Sequence, residues 1–434
     1  MKPERTELYP DIYLNRLTVD KFKTEQLTLY LAVPLKSMAE ASHYALLPHV
    51  LRRGSTKYPT NTAISRRLEE LYSADLSTGG FKLGDRQILT FSIGVLREDF
   101  VPDRASLLSD ATALLLDILF SPYIDGTTGV FPDDAVEQEK KNACDRIRSL
   151  MNNKALYARS RCLTHMCADE VYGIPEWGSE EETARITPAS LYAAYRKLLA
   201  EAHLEVYYTG TADAAPIVAA LDKALSTVRR YPCALPATEI RYRAAKRRSI
   251  TERSVATQGK LCIGFRSGVT LTDRDAAAFT LFHCIYGASP TSKLFANVRE
   301  KLSLCYSCAS RAELSKGIFL VSAGIENKNR RRAVSEILRQ LRRTRAGKIT
   351  EAEMTMAKKT ISTNCRSIGD EVAALERWYL SRALLGIEQS PDEVAAQMSE
   401  LGIRDVVRVA KKVSVDTIYF LHGMQESGEE EYDD

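Results

Sequence analysis

Leu27, Leu29, Leu31 and Val33 stand at alternate positions with smaller or more polar residues between them, which is the period of a half-buried strand. Directly after it, Ser37 to Gly54 (SMAEASHYALLPHVLRRG) predicts a helix, with capping-box spacing at Ser37 and Glu40 and a glycine where a helix stops. The second half repeats this order. Leu261 to Phe265 reads as a strand, Thr272-Asp273-Arg274-Asp275 as a capping box, and the following helix reaches Gly287. A helical stretch ending in LEELYSADLS (Leu68 to Ser77) then precedes an alternating strand with Leu89, Phe91, Ile93 and Val95. Its counterpart is VREKLSLCYS (Val298 to Ser307), before Phe319, Val321, Ala323 and Ile325. Long charged helices start near Asp133 and behind the box Thr350-Glu351-Ala352-Glu353, and strands running into glycine, His203 to Gly210 and Thr417 to Gly423, close the halves. Matched elements in one order, offset by roughly 210 to 235 residues, imply an internal duplication.

Alternating strands mixed with long helices predict an α+β fold made of two duplicated α/β-sandwich halves, each with one sheet face covered. The expected domains are residues 1–230, a linker over 231–258 that contains Pro232 and Pro236, a second domain over 259–425, and an acidic, disordered tail over 426–434.

Composition narrows the function classes. The 434 residues are 45% hydrophobic and 27% charged, with a net charge of +4, so the chain has ample core and no charge bias toward a polyanion. The basic run Arg229 to Arg253 reads as a solvated linker face, because a nucleic-acid site would also want stacking aromatics or a known module. Nine irregularly spaced cysteines do not form a disulfide framework, and Cys305 and Cys308, in C-x-x-C spacing, read as reduced core thiols on a strand. The start MKPERTELYP has no apolar signal region, and the greasiest window, Ala111 to Phe120, is too short to span a bilayer. The expectation is a cytoplasmic protein that engages neither membrane nor nucleic acid.

The first helix carries the candidate chemistry. Ala45, Pro48 and His49 occupy the positions that would read His, Glu and His in an H-x-x-E-H helix, where two imidazoles one turn apart hold a metal and a carboxylate takes a proton from bound water. One imidazole is present. Pro48 removes the base and is expected to kink the helix. His43 cannot substitute, because six residues along a helix place it about 240° around from His49.

Taken together, HVLRRGS, LEELYSADL, AVEQEKK and VREKLSLCYS resemble the pitrilysin/insulinase family of metallopeptidases, which includes the mitochondrial processing peptidases, and the resemblance covers nearly the whole chain. More narrowly, LRRGSTKYPTNTAISRRLEELYSADLS resembles the inactive YmfF-type bacterial members, which are associated with modification of elongation factor P. The resemblance implies a clamshell of two halves and a later helix in which Glu139 keeps one glutamate, while the third zinc-ligand position falls on Arg146. Arginine stays protonated and repels a cation. One metal ligand of three remains, so the resemblance implies no catalytic residue, no metal and no cofactor. It also implies that Arg299 and Tyr306 are substrate-binding, as donors suited to a peptide carbonyl. Ser303 stands where the family usually has glycine.

Two functions follow. In the first, the chain is the zinc-less subunit of a heterodimeric peptidase, and a zinc-bearing homologous partner acts on a peptide or protein substrate. In the second, it is a non-enzymatic peptide-binding or scaffolding protein that adds an extended segment to a sheet edge. The loop GASPTSK, with one glycine, gives little support to glycine-rich capture.

Overall fold

The computed structural model describes residues 2–102, 106–150 and 152–424. The expected tail over 426–434 lies outside them. The chain forms two compact units, one of residues 1–148 and 174–237, the other of residues 149–173 and 238–434.

The first unit contains β1 (Glu4–Tyr9), β2 (Ile12–Thr18), β3 (Thr24–Pro34), α1 (Met38–Leu51), α2 (Asn61–Glu70), β4 (Asp75–Leu83), β5 (Arg86–Leu96), α3 (Leu107–Phe120) and α4 (Asp133–Ser149). After α5 (Lys154–Met166), which belongs to the other unit, it resumes with α6 (Glu180–Arg185), α7 (Pro188–Glu201), β6 (His203–Gly210) and α8 (Ala215–Leu225). Its sheet runs β1-β2-β6-β3-β5-β4, with only β2 and β6 parallel. Leu27, Leu29, Leu31 and Val33 join one core with Leu89, Phe91 and the apolar sides of α1 and α3, as the alternation requires.

The second unit adds β7 (Arg248–Val255), β8 (Gly259–Arg266), α9 (Ala276–His283), β9 (Cys305–Glu313), β10 (Ile318–Ile325), α10 (Arg330–Arg345), α11 (Glu351–Ile368), α12 (Val372–Ala383), α13 (Pro391–Glu400), α14 (Ile403–Lys412) and β11 (Ser414–Met424). Its sheet runs β7-β11-β8-β10-β9, and only β7 and β11 are parallel. Without β1, the first sheet has the same order and the same pattern of directions, so the duplication is present in the topology. The strand that answers β2 is β7, inside the stretch expected as a linker.

The second sheet departs from the expectation of one covered face. Leu261, Ile263 and Phe265 face the core built with α9, α10, α11, α13 and α14, while Cys262 packs on the opposite face against Ala158 and Cys162 of α5. Gly264 permits that approach, since a Cβ there would meet the Met166 Sδ at 2.6 Å. Segment 149–173 is held by a buried ion cluster. Glu170 accepts from Arg266 at 2.6 Å and from Lys316 at 3.0 Å, and the Arg266 Nε reaches Asp416 at 2.6 Å. A second nitrogen of Arg266 donates to the Met166 carbonyl at 2.9 Å. Each of these charges has a partner, which is the condition for holding them out of water.

Two capping expectations changed. Ser37 caps α1 through the Glu40 N–H at 3.2 Å, but the Glu40 carboxylate pairs with Lys197 at 2.5 Å instead of closing the box. No side chain caps α9, because the Asp275 carboxylate is taken by Arg408 and Lys412. The box at Thr350 and Glu353 forms in full.

Candidate functional site

Helix α1 is buried on most of its circumference by Ala41, Tyr44, Leu46, Leu47, Val50 and Leu51, which fixes it against β4 and β5. Gly178 lets the 174–180 turn reach it, because a Cβ there would lie 2.0 Å from the Ser42 hydroxyl. The helix runs through Pro48, and the Arg52 N–H donates to the Pro48 carbonyl at 3.2 Å. Pro48 has no N–H to give the Tyr44 carbonyl, and the buried side chains on either side of it, Leu46, Leu47, Val50 and Leu51, hold the helix in place across that missing bond.

The expected positions are brought together by α1 and α4. His49 is half-buried and held below the usual imidazole range, first by burial and then by the charge of Arg146, with Arg52 adding to this and Glu139 opposing it. Arg146 therefore acts on His49 as a cation. Glu139 is buried and accepts from Arg53 at 2.9 Å. Arg53 lies four residues after His49, in the turn that leaves α1, and the motif does not include it; the paired arginines after the helix in HVLRRG are the only local signal of a cation there. His43 points elsewhere, with its ring bonded to the Ala39 carbonyl at 2.7 Å and the Ser190 hydroxyl at 3.0 Å.

This face does not fit a divalent cation. Ala45 and Pro48 offer no donor, Arg146 is cationic, and the one carboxylate is already engaged by a guanidinium. Among the described residues, no group of three or more His, Cys, Asp and Glu side chains is placed to hold a metal ion. A cavity of about 540 Å³ beside it is lined by Val50, Arg53, Tyr123, Asp125, Phe131 and Asp134.

The second-unit pair sits at the edge of the other sheet. After α9 the chain forms two stretches of π-type helix, Cys284–Ala288 and Phe295–Lys301, and Arg299 lies on the second. The wider winding of a π stretch often accompanies functional positions. The Arg299 guanidinium lies 4.5 Å from the centre of the Phe295 ring and 3.5 Å from the Glu300 carboxylate. Tyr306 stands on the edge strand β9 and is 81% exposed. Gly287 is where the preceding helix meets this strand: a Cβ there would lie 2.6 Å from the Ser310 hydroxyl. It serves a close approach and does not end the helix.

Between the two donors, Ser303 has φ +46°, in the left-handed region. The backbone keeps a conformation that suits glycine, and serine occupies it at a cost of about 1 kcal/mol. The GASPTSK loop has little freedom, since Lys293 is buried and bonded to Glu353 at 2.7 Å and to the Lys348 carbonyl at 2.8 Å.

Comparisons with known proteins agree with this geometry. The Peptidase M16 inactive domain family matches residues 185–361. The chain is 32% identical to the probable inactive metalloprotease YmfF of Bacillus subtilis (strain 168) over 406 residues, covering 94% of each protein. In structure it is similar to a conserved protein from Enterococcus faecalis V583, with a TM-score of 0.90, 28% identity and coverage of 98% of this chain and 100% of that one. It shares the fold of the peptidase M16 inactive domain from Pseudomonas fluorescens, at a TM-score of 0.79 and 17% identity over 98% of this chain and 100% of that one. With the repeated sheet, the frame of the metal helix and the substituted ligand positions all in place, the chain belongs to the pitrilysin/insulinase (M16) metallopeptidase family, as an inactive member of the YmfF type.

Proposed function

We propose that this chain is the zinc-less subunit of a two-chain M16 peptidase, supplying Arg299 and Tyr306 as donors to a substrate held in a homologous partner with an intact H-x-x-E-H helix. The observation that carries this reading is the contrast at the two expected sites. Two of the three metal positions hold Ala45 and Arg146 and the base position holds Pro48, whereas Tyr306 is 81% exposed and Arg299 partly exposed, and neither has a buried ion-pair partner among the described residues. A phenol and a guanidinium facing solvent at a sheet edge are donors suited to a peptide carbonyl and to the negative charge that grows on it. The strand edge itself can pair with extended backbone.

In this reading the complex is cytoplasmic; among the described residues, no helix is long and apolar enough to cross a membrane. The association of YmfF-type members with elongation factor P makes that factor the first substrate to test. Affinity purification of the tagged chain from its own cells tests the pairing, with a zinc-bearing M16 homologue expected in equal amount. Recovery of the lone chain with micromolar affinity for unstructured peptides supports the scaffolding alternative instead, in which the exposed edges of β4 and β9 capture an extended segment without hydrolysis.

A further inference from the structure

The edge strand that bears Tyr306 also carries two cysteines that the proposed substrate role leaves unused. Along β9, exposure from Cys305 to Cys308 runs half-buried, exposed, exposed, buried, where a regular strand would alternate. The pairing gives the cause. Ser307 is opposite Gly324 and Cys305 opposite Ile325, so two steps on β9 answer one step on β10, and Tyr306 is the extra residue of a bulge. Residues three apart on a regular strand point to opposite faces. The extra residue cancels this, and both thiols turn inward: Cys308 is part of the second core and Cys305 packs against it.

Their surroundings differ from those of the other cysteines. Hydrogen bonding from Cys308 and the nearby charge of Arg299 outweigh partial burial and hold the Cys305 thiol below its usual range, while Cys308 is raised. Cys144, Cys284 and Cys365 are raised, each chiefly by burial. A half-exposed, activated thiol beside a second thiol is the arrangement of a redox-sensitive site.

We propose that Cys305 is a site of reversible oxidation by hydrogen peroxide, with Cys308 as its resolving thiol. The Cys305 sulfur, as thiolate, attacks one peroxide oxygen; the O–O bond breaks, an S–OH group forms, and the departing hydroxide takes up the thiol proton as water. The Cys308 sulfur then attacks the sulfenic sulfur. The S–S bond forms, the S–O bond breaks, and the second water leaves with the second thiol proton. Two thiols lose two electrons and one peroxide becomes two waters. Three residues of extended chain span about 10 Å, whereas a disulfide needs its Cα atoms within about 7 Å, so closing the bridge tightens the bulge and moves Tyr306, which lies inside the ring. The oxidation chemistry stands apart from the substrate role; its consequence for Tyr306 rests on that role.

The test uses the full chain, reduced, exposed to about one to five equivalents of hydrogen peroxide, blocked with N-ethylmaleimide and cut with trypsin. Lys301 and Arg311 bound a peptide, Leu302 to Arg311, that contains Cys305 and Cys308 and no other cysteine. That peptide is expected to lose both maleimide adducts about ten-fold faster than the peptides holding Cys144 or Cys233 lose theirs. In Cys308→Ser, dimedone is expected to label Cys305. Earlier oxidation of Cys144 or Cys233, or a Cys308→Ser chain without sulfenic acid at Cys305, overturns the proposal. If the peptide oxidises as expected while the peptide affinity of the complex does not change, the thiol site is supported and the substrate role of Tyr306 is not.

Discussion

On α1 and α4 an alanine and an arginine stand at two of the three positions that would hold a cation, a proline stands at the base position, and the one remaining carboxylate is occupied by Arg53. On β9 the tyrosine remains 81% exposed, and even the glycine-like backbone at Ser303 persists, although serine fits it poorly. The two regions sit on sheets of the same order and direction, so the fold does not account for the difference. A scaffold tolerates loss of its metal chemistry when other contacts carry its stability, as the apolar circumference of α1 does here. The exposed pair Arg299 and Tyr306 contributes little to the core of its own unit, and that contrast with α1 is the ground on which a substrate role is proposed for it.

The largest expected effect comes from reversing the first region. Ala45→His, Pro48→Glu and Arg146→Glu together should give a chain that binds one zinc with a dissociation constant of about 1 μM or below, equivalent to about 8 kcal/mol, measured by dialysis and atomic absorption. Failure of that variant to bind zinc would show that α1 and α4 are no longer aligned as a ligand frame. In the second unit, Glu170→Ala should cost about 3 to 5 kcal/mol in denaturant unfolding, because it leaves the Arg266 and Lys316 charges buried without their shared carboxylate. A loss below about 1 kcal/mol would mean that segment 149–173 is held by packing instead.

Histidines in the two regions differ in their linkage to pH. Burial lowers His283 to about 4, against a weaker opposing hydrogen bond that the ring donates to the Ser310 backbone, and burial also lowers His49. Between about 6.5 and 4 the unfolded chain binds a proton at position 283 that the folded chain does not. Stability should therefore fall by about 3 kcal/mol as pH drops through that window, and be fully present above it. His283→Gln should flatten most of this slope, while His49→Gln flattens less. Equal slopes in wild type and His283→Gln would contradict the assignment. The smallest effect is Ser303→Gly, expected to gain about 1 kcal/mol by relieving the positive φ, read as a higher unfolding midpoint.

Much of this was legible in the sequence because it is local. Alternation marked β3, β5, β8 and β10, and Thr350 with Glu353 marked the start of α11. The substituted motif on α1 was readable because helical spacing places His49 and Ala45 on one face. What was not legible depends on partners distant in the chain. Strand β7 (RSITERSV) carries little apolar alternation and is held by backbone pairing to β11, about 170 residues later. Glu170 meets Arg266 and Lys316 across separations that no periodicity encodes, so the crossing of segment 149–173 into the second unit gave no signal. Asp275 looked like part of a cap and became a counter-ion for α14. The bulge at Tyr306, which turns Cys305 and Cys308 to one face, depends on the register against β10 and not on residue type.

The central claim is tested most directly by the turnover of a reconstituted complex with its zinc-bearing partner when this chain carries Arg299→Ala. With Arg299→Ala, kcat is expected to fall about 10²-fold, as for loss of one oxyanion donor, with assembly of the complex intact. A verified complex that kept full turnover with Arg299→Ala would contradict it.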